Sequence, residues 1–188
     1  SEQSEFFTVP ALKGVRLHAL FWGDRSRPIV VLLHGGGANA HWWDHLAAPL
    51  SDRYCAVALD FRGHGDSDHP AELTVGAFNH DLEALLGYLK SPPIALVGHS
   101  MGGHVALDHA SHHPETSSAV LIDILRGASK RNRRSARLAL TLRRTYATRA
   151  DAARRFRFFP PAPHAEETLR AAIAEHSLRE EADGRYGF

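Results

Sequence analysis

Residues 94–103 read IALVGHSMGG, and the organisation of the chain follows from them. Ile94 to Val97 form an apolar run that predicts a buried strand, and Gly98 and Gly102 flank Ser100 at the spacing of a sharp strand-to-helix turn. A β-carbon at either glycine would collide with neighbouring backbone in such a turn. The turn pushes the Ser100 hydroxyl outward. It also opens a helix at Met101, where an unpaired N–H and the helix dipole stabilise a developing negative oxygen. Ser100 is therefore the candidate nucleophile, and the Met101 amide is a candidate oxyanion donor.

Working outward, further strand-like segments lie at Phe6–Ala11, Val15–Trp22, Pro28–His34, Cys55–Phe61 and Ser118–Leu125. Several are apolar on both faces, which suits parallel strands covered by helices. The intervening segments His41–Asp52 and Val75–Lys90 read as helices, as does the stretch from Met101 to about His112, which Pro114 ends. Two leading strands are thus followed by strand and helix in alternation. The expected fold class is α/β, a mostly parallel sheet with helices on both faces, with Ser100 at the carboxyl end of a central strand and Ser118–Leu125 as an unprotected, apolar edge. From Arg126 onward no strand is expected. Helices are predicted over Arg134–Ala150 and His164–Arg179, joined by the breaker Pro160–Pro163. There is no internal repeat.

The chain has 188 residues, 44% hydrophobic and 23% charged, with a formal net charge of +1. That is ordinary globular composition with enough chain for a core, which argues against disorder. The single cysteine, Cys55, excludes a disulfide within the chain. With no membrane-spanning apolar run and no signal-like start, a soluble, cytoplasmic protein is expected.

Four landmarks now occur in order: His34–Gly37 (HGGG), Asp60–Ser67 (DFRGHGDS), the Ser100 turn, and Leu121–Leu125 (LIDIL). In that order the chain resembles the α/β-hydrolase fold superfamily, with HGGG as the oxyanion loop, DFRGHGDS as the turn after the fourth strand, and LIDIL as the strand leading into a cap. The resemblance implies a core over residues 1–125 and a helical cap or lid over 126–188. It also implies a serine hydrolase: Ser100 as nucleophile, the amides of Gly36 and Met101 as oxyanion hole, and a small-molecule ester, lactone, thioester or ketone-activated carbon–carbon bond as substrate. Serine at position 100 argues against the epoxide hydrolase and haloalkane dehalogenase branches, which use aspartate there. No cofactor is implied.

The chain departs from that pattern in its acid and its base. Asp123, after the strand before the cap, is the possible acid. The catalytic histidine is expected to lie outside this chain. His104, His109, His112 and His113 fall in the helix after the nucleophile, and His164 and His176 in the cap, so surface or packing roles are expected for all six. The last residues, DGRYGF, resemble the point where a cap hands back to the sheet. A missing C-terminal segment or a complementing chain is therefore expected, with two more strands, a histidine and an orienting acid. The rival reading is a non-catalytic binding protein that kept the pocket and lost the triad.

Other features have plainer explanations. Twelve basic residues between Arg126 and Arg157 face one acid, Asp151. The preferred reading is a solvated helical face with Leu138, Leu142 and Tyr146 on its apolar side, with no nucleic-acid or membrane partner. Asp60, His64 and Asp66 are spaced by turn glycines and match no ligand pattern, so no metal is expected. Trp42 and Trp43 either wall an acyl pocket or pack a helix.

Overall fold

Val30 and Leu32 face one interior while Val31 and Leu33 face another, and Ala56 and Ala58 alternate with Val57 and Leu59 in the same way. A strand with apolar residues on both faces is stable only when both are covered, so this alternation dictates three layers. The computed structural model describes residues 2–8, 14–71, 76–124, 144–158 and 161–188. The chain divides into two compact units, Ser1–Ile124 and Leu125–Phe188.

In the first unit, strands β1 (Glu2–Thr8), β2 (Arg16–Trp22), β3 (Ile29–Leu33), β4 (Cys55–Asp60), β5 (Ala95–His99) and β6 (Ala119–Ile122) form one sheet in the order β1-β2-β4-β3-β5-β6. β2 runs antiparallel to β1 and β4, and every other neighbouring pair is parallel. Helices α2 (Ala77–Leu89) and α3 (Met101–His112) contribute Leu82, Leu85, Val105 and Ala106 to the larger core, with Phe21, Leu33, Leu59 and Phe61. Helix α1 (Asp44–Leu50) and the 3₁₀ turn before it, Ala40–Trp43, cover the other face, where Ala56, Ala58 and Ala47 leave room for Trp22 and Trp43. Burying each large side chain contributes about 1.5–3 kcal/mol. Trp43 is a core residue of that layer, so helix packing accounts for it.

The turn after β4 is tied down by two buried carboxylates. Asp60 accepts from the His18 ring (2.7 Å), Ala40 N–H (2.6 Å) and Asp66 N–H (2.9 Å). Burial alone would raise its carboxyl, but these donors and nearby His34 hold it below the usual carboxylate range. Both oxygens serve the fold, in keeping with a turn at Asp60, His64 and Asp66. Asp81 on α2 accepts from Arg62 N–H (3.0 Å) and Nε (2.8 Å) and pairs with Nη2.

The described sheet ends on β6, where Val120 and Ile122 are 48% and 39% exposed. β5, which carries Ser100 at its end, has parallel neighbours on both sides. Cys55 is buried and free.

The second unit corrects three sequence expectations. Helix α4 spans Arg149–Arg155 and starts at Thr148, whose side chain accepts from Asp151 N–H; the expected helix through Ala150 therefore does not run continuously. Tyr146 instead exchanges backbone hydrogen bonds with Tyr186, both 2.8 Å. Leu138 and Leu142, and Arg126 to Arg143 of the basic stretch, lie outside the described residues. Helix α5 spans Glu167–Ser177, and its expected end at Arg179 is instead a strand residue. Strands β7 (Arg179–Glu180) and β8 (Tyr186–Gly187) form a hairpin turned by left-handed Gly184, so the tail pairs with itself where no strand was expected. Of the described arginines, Arg149 pairs with Glu175, Arg154 and Arg155 with Asp151, and Arg170 with Glu167. No described helix is long and apolar enough to cross a membrane.

Candidate active site

The residues around Ser100 leave the backbone no slack. A β-carbon on Gly98 would stand 2.4 Å from the Gly102 carbonyl oxygen, and one on Gly102 would stand 2.3 Å from that of Leu33. Strand β5 and helix α3 therefore meet at a distance only glycine permits. Between them Ser100 adopts φ 48°, ψ −110°, a strained conformation for a residue with a side chain. Three hydrogen bonds hold it: Ser100 N–H to Ile122 O (2.9 Å), Gly102 N–H to His34 O (3.1 Å) and His104 N–H to Ser100 O (3.1 Å). The Met101 N–H, at the first residue of α3, has no hydrogen-bond partner among the described residues.

The His34–Gly37 loop lies against this turn. A β-carbon on Gly35 would fall 2.6 Å from His99 Nδ1 and 3.4 Å from Ser100 Cβ. His34 fixes the loop's direction. Phe61 N–H donates to His34 Nε2 (3.2 Å), so the ring proton is on Nδ1, which donates to the Gly35 carbonyl (2.8 Å). Ala38 N–H reaches the same carbonyl at 3.2 Å. In a trans peptide the C=O and the next N–H point in opposite directions. The Gly36 N–H therefore points away from the His34 ring, and Gly36 itself is exposed, with nothing within 4 Å of a β-carbon built on it.

Complete burial, aided by His64, pushes His34 down to about 4, so the ring is neutral at ordinary pH. Its contribution to stability is complete above the unfolded value of 6.5 and is lost as pH falls toward 4. Over that window the loss is about 3 kcal/mol. Unfolding free energies of the wild type and His34→Asn across this range should differ in slope, the variant being flatter. Parallel slopes would show that His34 is not held neutral.

Asp123 sits just past β6 at φ 50°, with its side chain 66% exposed and Oδ2 4.0 Å from His99 Nε2. His99, between Gly98 and Ser100, is a neighbour that sequence reasoning passed over; its only signal was its place in the turn. Among the described residues of the first unit, no histidine ring hydrogen-bonds the Ser100 hydroxyl. His104 is exposed on α3, His109 binds Glu83, His112 binds the Asp108 carbonyl, and His113 binds Glu115. His164 and His176 belong to the second unit.

Residues 30–186 match the alpha/beta hydrolase family. Protein phosphatase methylesterase 1 of Bos taurus is 39% identical over 112 residues, 54% of this chain and 29% of that protein. Epoxide hydrolase 3 of Xenopus tropicalis is 33% identical over 112 residues, 58% of this chain and 30% of that protein. The crystal structure of an alpha/beta hydrolase from Novosphingobium aromaticivorans matches with a TM-score of 0.80 at 26% identity, covering 100% of this chain and 67% of that one. The chain spans under a third of the length of these curated relatives. The strained serine between close-packed glycines, the HGGG loop against it and a family match covering most of the sequence agree: the chain belongs to the alpha/beta hydrolase family.

Proposed function

We propose that this chain is the nucleophile-bearing part of a serine hydrolase that transfers the acyl group of an ester-like small molecule to water. The left-handed Ser100 carries the reading, since strain kept at a half-buried serine beside a glycine loop is the kind that catalytic turns store. In the proposed reaction Ser100 Oγ attacks the substrate carbonyl and gives its proton to a histidine base. The negative oxygen is held by the N–H groups of Met101 and Gly36 until the leaving group departs with that proton. Water then gives a proton to the same base as it adds to the acyl-serine, and that proton passes to Ser100 Oγ as the acid is released. No metal or cofactor enters this scheme.

The serine itself narrows the substrate class. If it opened an epoxide it would be left as an alkyl ether with no carbonyl for water to attack, whereas an acyl-serine is readily hydrolysed. Similarity to an epoxide hydrolase therefore bears on the fold, and similarity to a methylesterase is the better guide to chemistry.

The base, in this proposal, comes from outside these 188 residues, in the same polypeptide or a complementing chain. Three observations favour that source: no described histidine of the first unit reaches Ser100, β6 leaves an apolar edge on which strands could add, and the solved relative is longer. Asp123 is the candidate acid to orient the incoming ring, and residues 126–188 are the candidate cap. A buried, unpaired Cys55 suits the reducing cytoplasm.

The 188 residues alone should hydrolyse p-nitrophenyl esters only about 10³–10⁴ above water, the level left when a triad loses its base. The complete protein should turn them over and accumulate an acyl adduct on the peptide containing Ser100. Fast turnover by the 188 residues alone would refute an external base. An inactive complete protein that still bound ester analogues would favour the binding-protein alternative.

A further inference from the structure

At the edge of the sheet away from Ser100, three strands bring together a second serine, histidine and aspartate. Ser4 lies on β1, His18 on β2 and Asp60 at the end of β4, and β2 runs between the other two. His18 stands opposite Asp60 in one pairing and opposite Phe6 in the other. Ser4, two residues before Phe6, is therefore on the same face of β1 and diagonal to His18, within reach of a long side chain. Four strand spacings of about 4.8 Å put β1 about 19 Å from β5, so this cluster is separate from the Ser100 turn. No motif announces it, since the three residues meet only when β2 has paired with both neighbours.

The hydrogen bonds run in one direction. His18 Nδ1 lies 2.7 Å from Asp60 Oδ2, and His18 Nε2 lies 2.8 Å from Ser4 Oγ. Asp60 is kept ionised by its donors and can only accept, so Nδ1 carries the ring proton. Nε2 of the neutral ring then accepts from the Ser4 hydroxyl. That is the relation of nucleophile, base and orienting acid that activates a serine, at the distances such activation needs. The base is fixed in place. His18 and Asp60 are each 1% exposed, His18 N–H donates to Ser67 Oγ at 2.9 Å, and the Phe6 ring packs on the imidazole with centroids 4.9 Å apart. Ser4, by contrast, is exposed, on a strand with one neighbour among the described residues, so a reagent can approach it from solvent.

We propose that Ser4, His18 and Asp60 form a second reactive serine, which accepts an acyl group from an activated donor of the thioester or aryl ester class. Ser4 Oγ forms a bond to the donor's carbonyl carbon while its proton passes to His18 Nε2. The carbon–sulfur or carbon–oxygen bond to the leaving group then breaks, and the thiolate or phenolate departs with that proton. Asp60 stays ionised and stabilises the imidazolium between the two transfers. Phe6, 47% exposed and on the same face of β1, offers the acyl group an apolar neighbour, which favours small apolar acyl groups. The product is an O-acyl serine on the surface of β1, a modification that leaves the Ser100 turn untouched.

The test treats the full chain carrying Ser100→Ala, which removes the other candidate nucleophile, with a fluorophosphonate, a reagent that phosphonylates activated serines and releases fluoride. Mass spectrometry of the amino-terminal tryptic peptide follows the rate, with fragmentation separating Ser4 from Ser1. Ser4 should be labelled at least about tenfold faster than the exposed Ser26 and Ser111, and His18→Gln should slow it by about 10²-fold or more, as loss of a general base does. Because replacing a buried histidine can unfold the chain, Ser4→Cys gives a second measure. Beside His18 and Asp60 its thiol should react with iodoacetamide at about pH 6 at least about tenfold faster than that of Glu2→Cys on the same strand, while Cys55 stays buried. Labelling of Ser4 no faster than of Ser26, or Ser4→Cys no faster than Glu2→Cys, would overturn the proposal and leave Ser4 as a hydrogen-bond partner for a packed histidine.

Discussion

Replacing Ser100 with glycine should make the protein more stable and abolish its ester hydrolysis. At φ 48°, ψ −110° a residue with a β-carbon is strained by about 1–3 kcal/mol. Glycine relieves that strain but loses about 0.5–1 kcal/mol through the greater freedom of its unfolded chain. The net gain expected in urea unfolding is about 1 kcal/mol. Removing the nucleophile of a Ser–His–Asp enzyme lowers kcat by about 10⁶, and the same order is expected in the complete protein. Ser100→Ala separates the two effects, since it loses the hydroxyl and keeps the strained β-carbon. It should be as inactive as Ser100→Gly without the gain in stability. A glycine variant less stable than wild type would show that the turn is not strained, and retained turnover would show that Ser100 is not the nucleophile.

Asp81→Ala should be the most destabilising change away from the site. Asp81 is fully buried, Arg62 is 6% exposed, and the carboxylate accepts from both the Arg62 backbone and its guanidinium. Removing one member of a buried ion pair leaves the other charge uncompensated and costs about 3–5 kcal/mol. Denaturant unfolding of the 188 residues measures this directly. The double substitution Arg62→Met, Asp81→Leu should be less destabilised than Asp81→Ala, because no orphan charge remains. If Asp81→Ala cost under about 1 kcal/mol, the pair would be behaving as a solvated surface bridge.

Much of the first unit was legible in the sequence because its signals are local. The apolar runs at Ile29–Leu33 and Cys55–Asp60 became β3 and β4, and the strand, glycines and following helix around Ser100 fall where the motif put them. β1 begins at Glu2, ahead of the apolar residues that suggested it, because pairing with β2 holds its polar half. The hairpin β7–β8 was illegible. Two-residue strands carry no periodicity, and what orders them is a turn and the partnership of Tyr146 with Tyr186, 40 residues apart. Within the site, Ser100 and the HGGG loop were readable, whereas the role of His34 required knowing that Phe61 N–H fixes its tautomer. The closeness of Gly35 to His99 likewise depends on β3 and β5 being neighbours, which spacing along the chain does not encode.

The Ser100 amide is bonded to the carbonyl of Ile122, the last residue of β6. β6 is only four residues long and pairs on one side alone among the described strands. Short, one-sided strands open far more often than the sheet as a whole, and amide protons exchange with solvent in proportion to the population of the open form. The Ser100 N–H should therefore exchange faster than the amides of β3, although it lies at the heart of the turn. Any chain that pairs with β6 should slow it. Deuterium uptake at this one position would thus read out, without substrate, whether the nucleophile has been locked into working order.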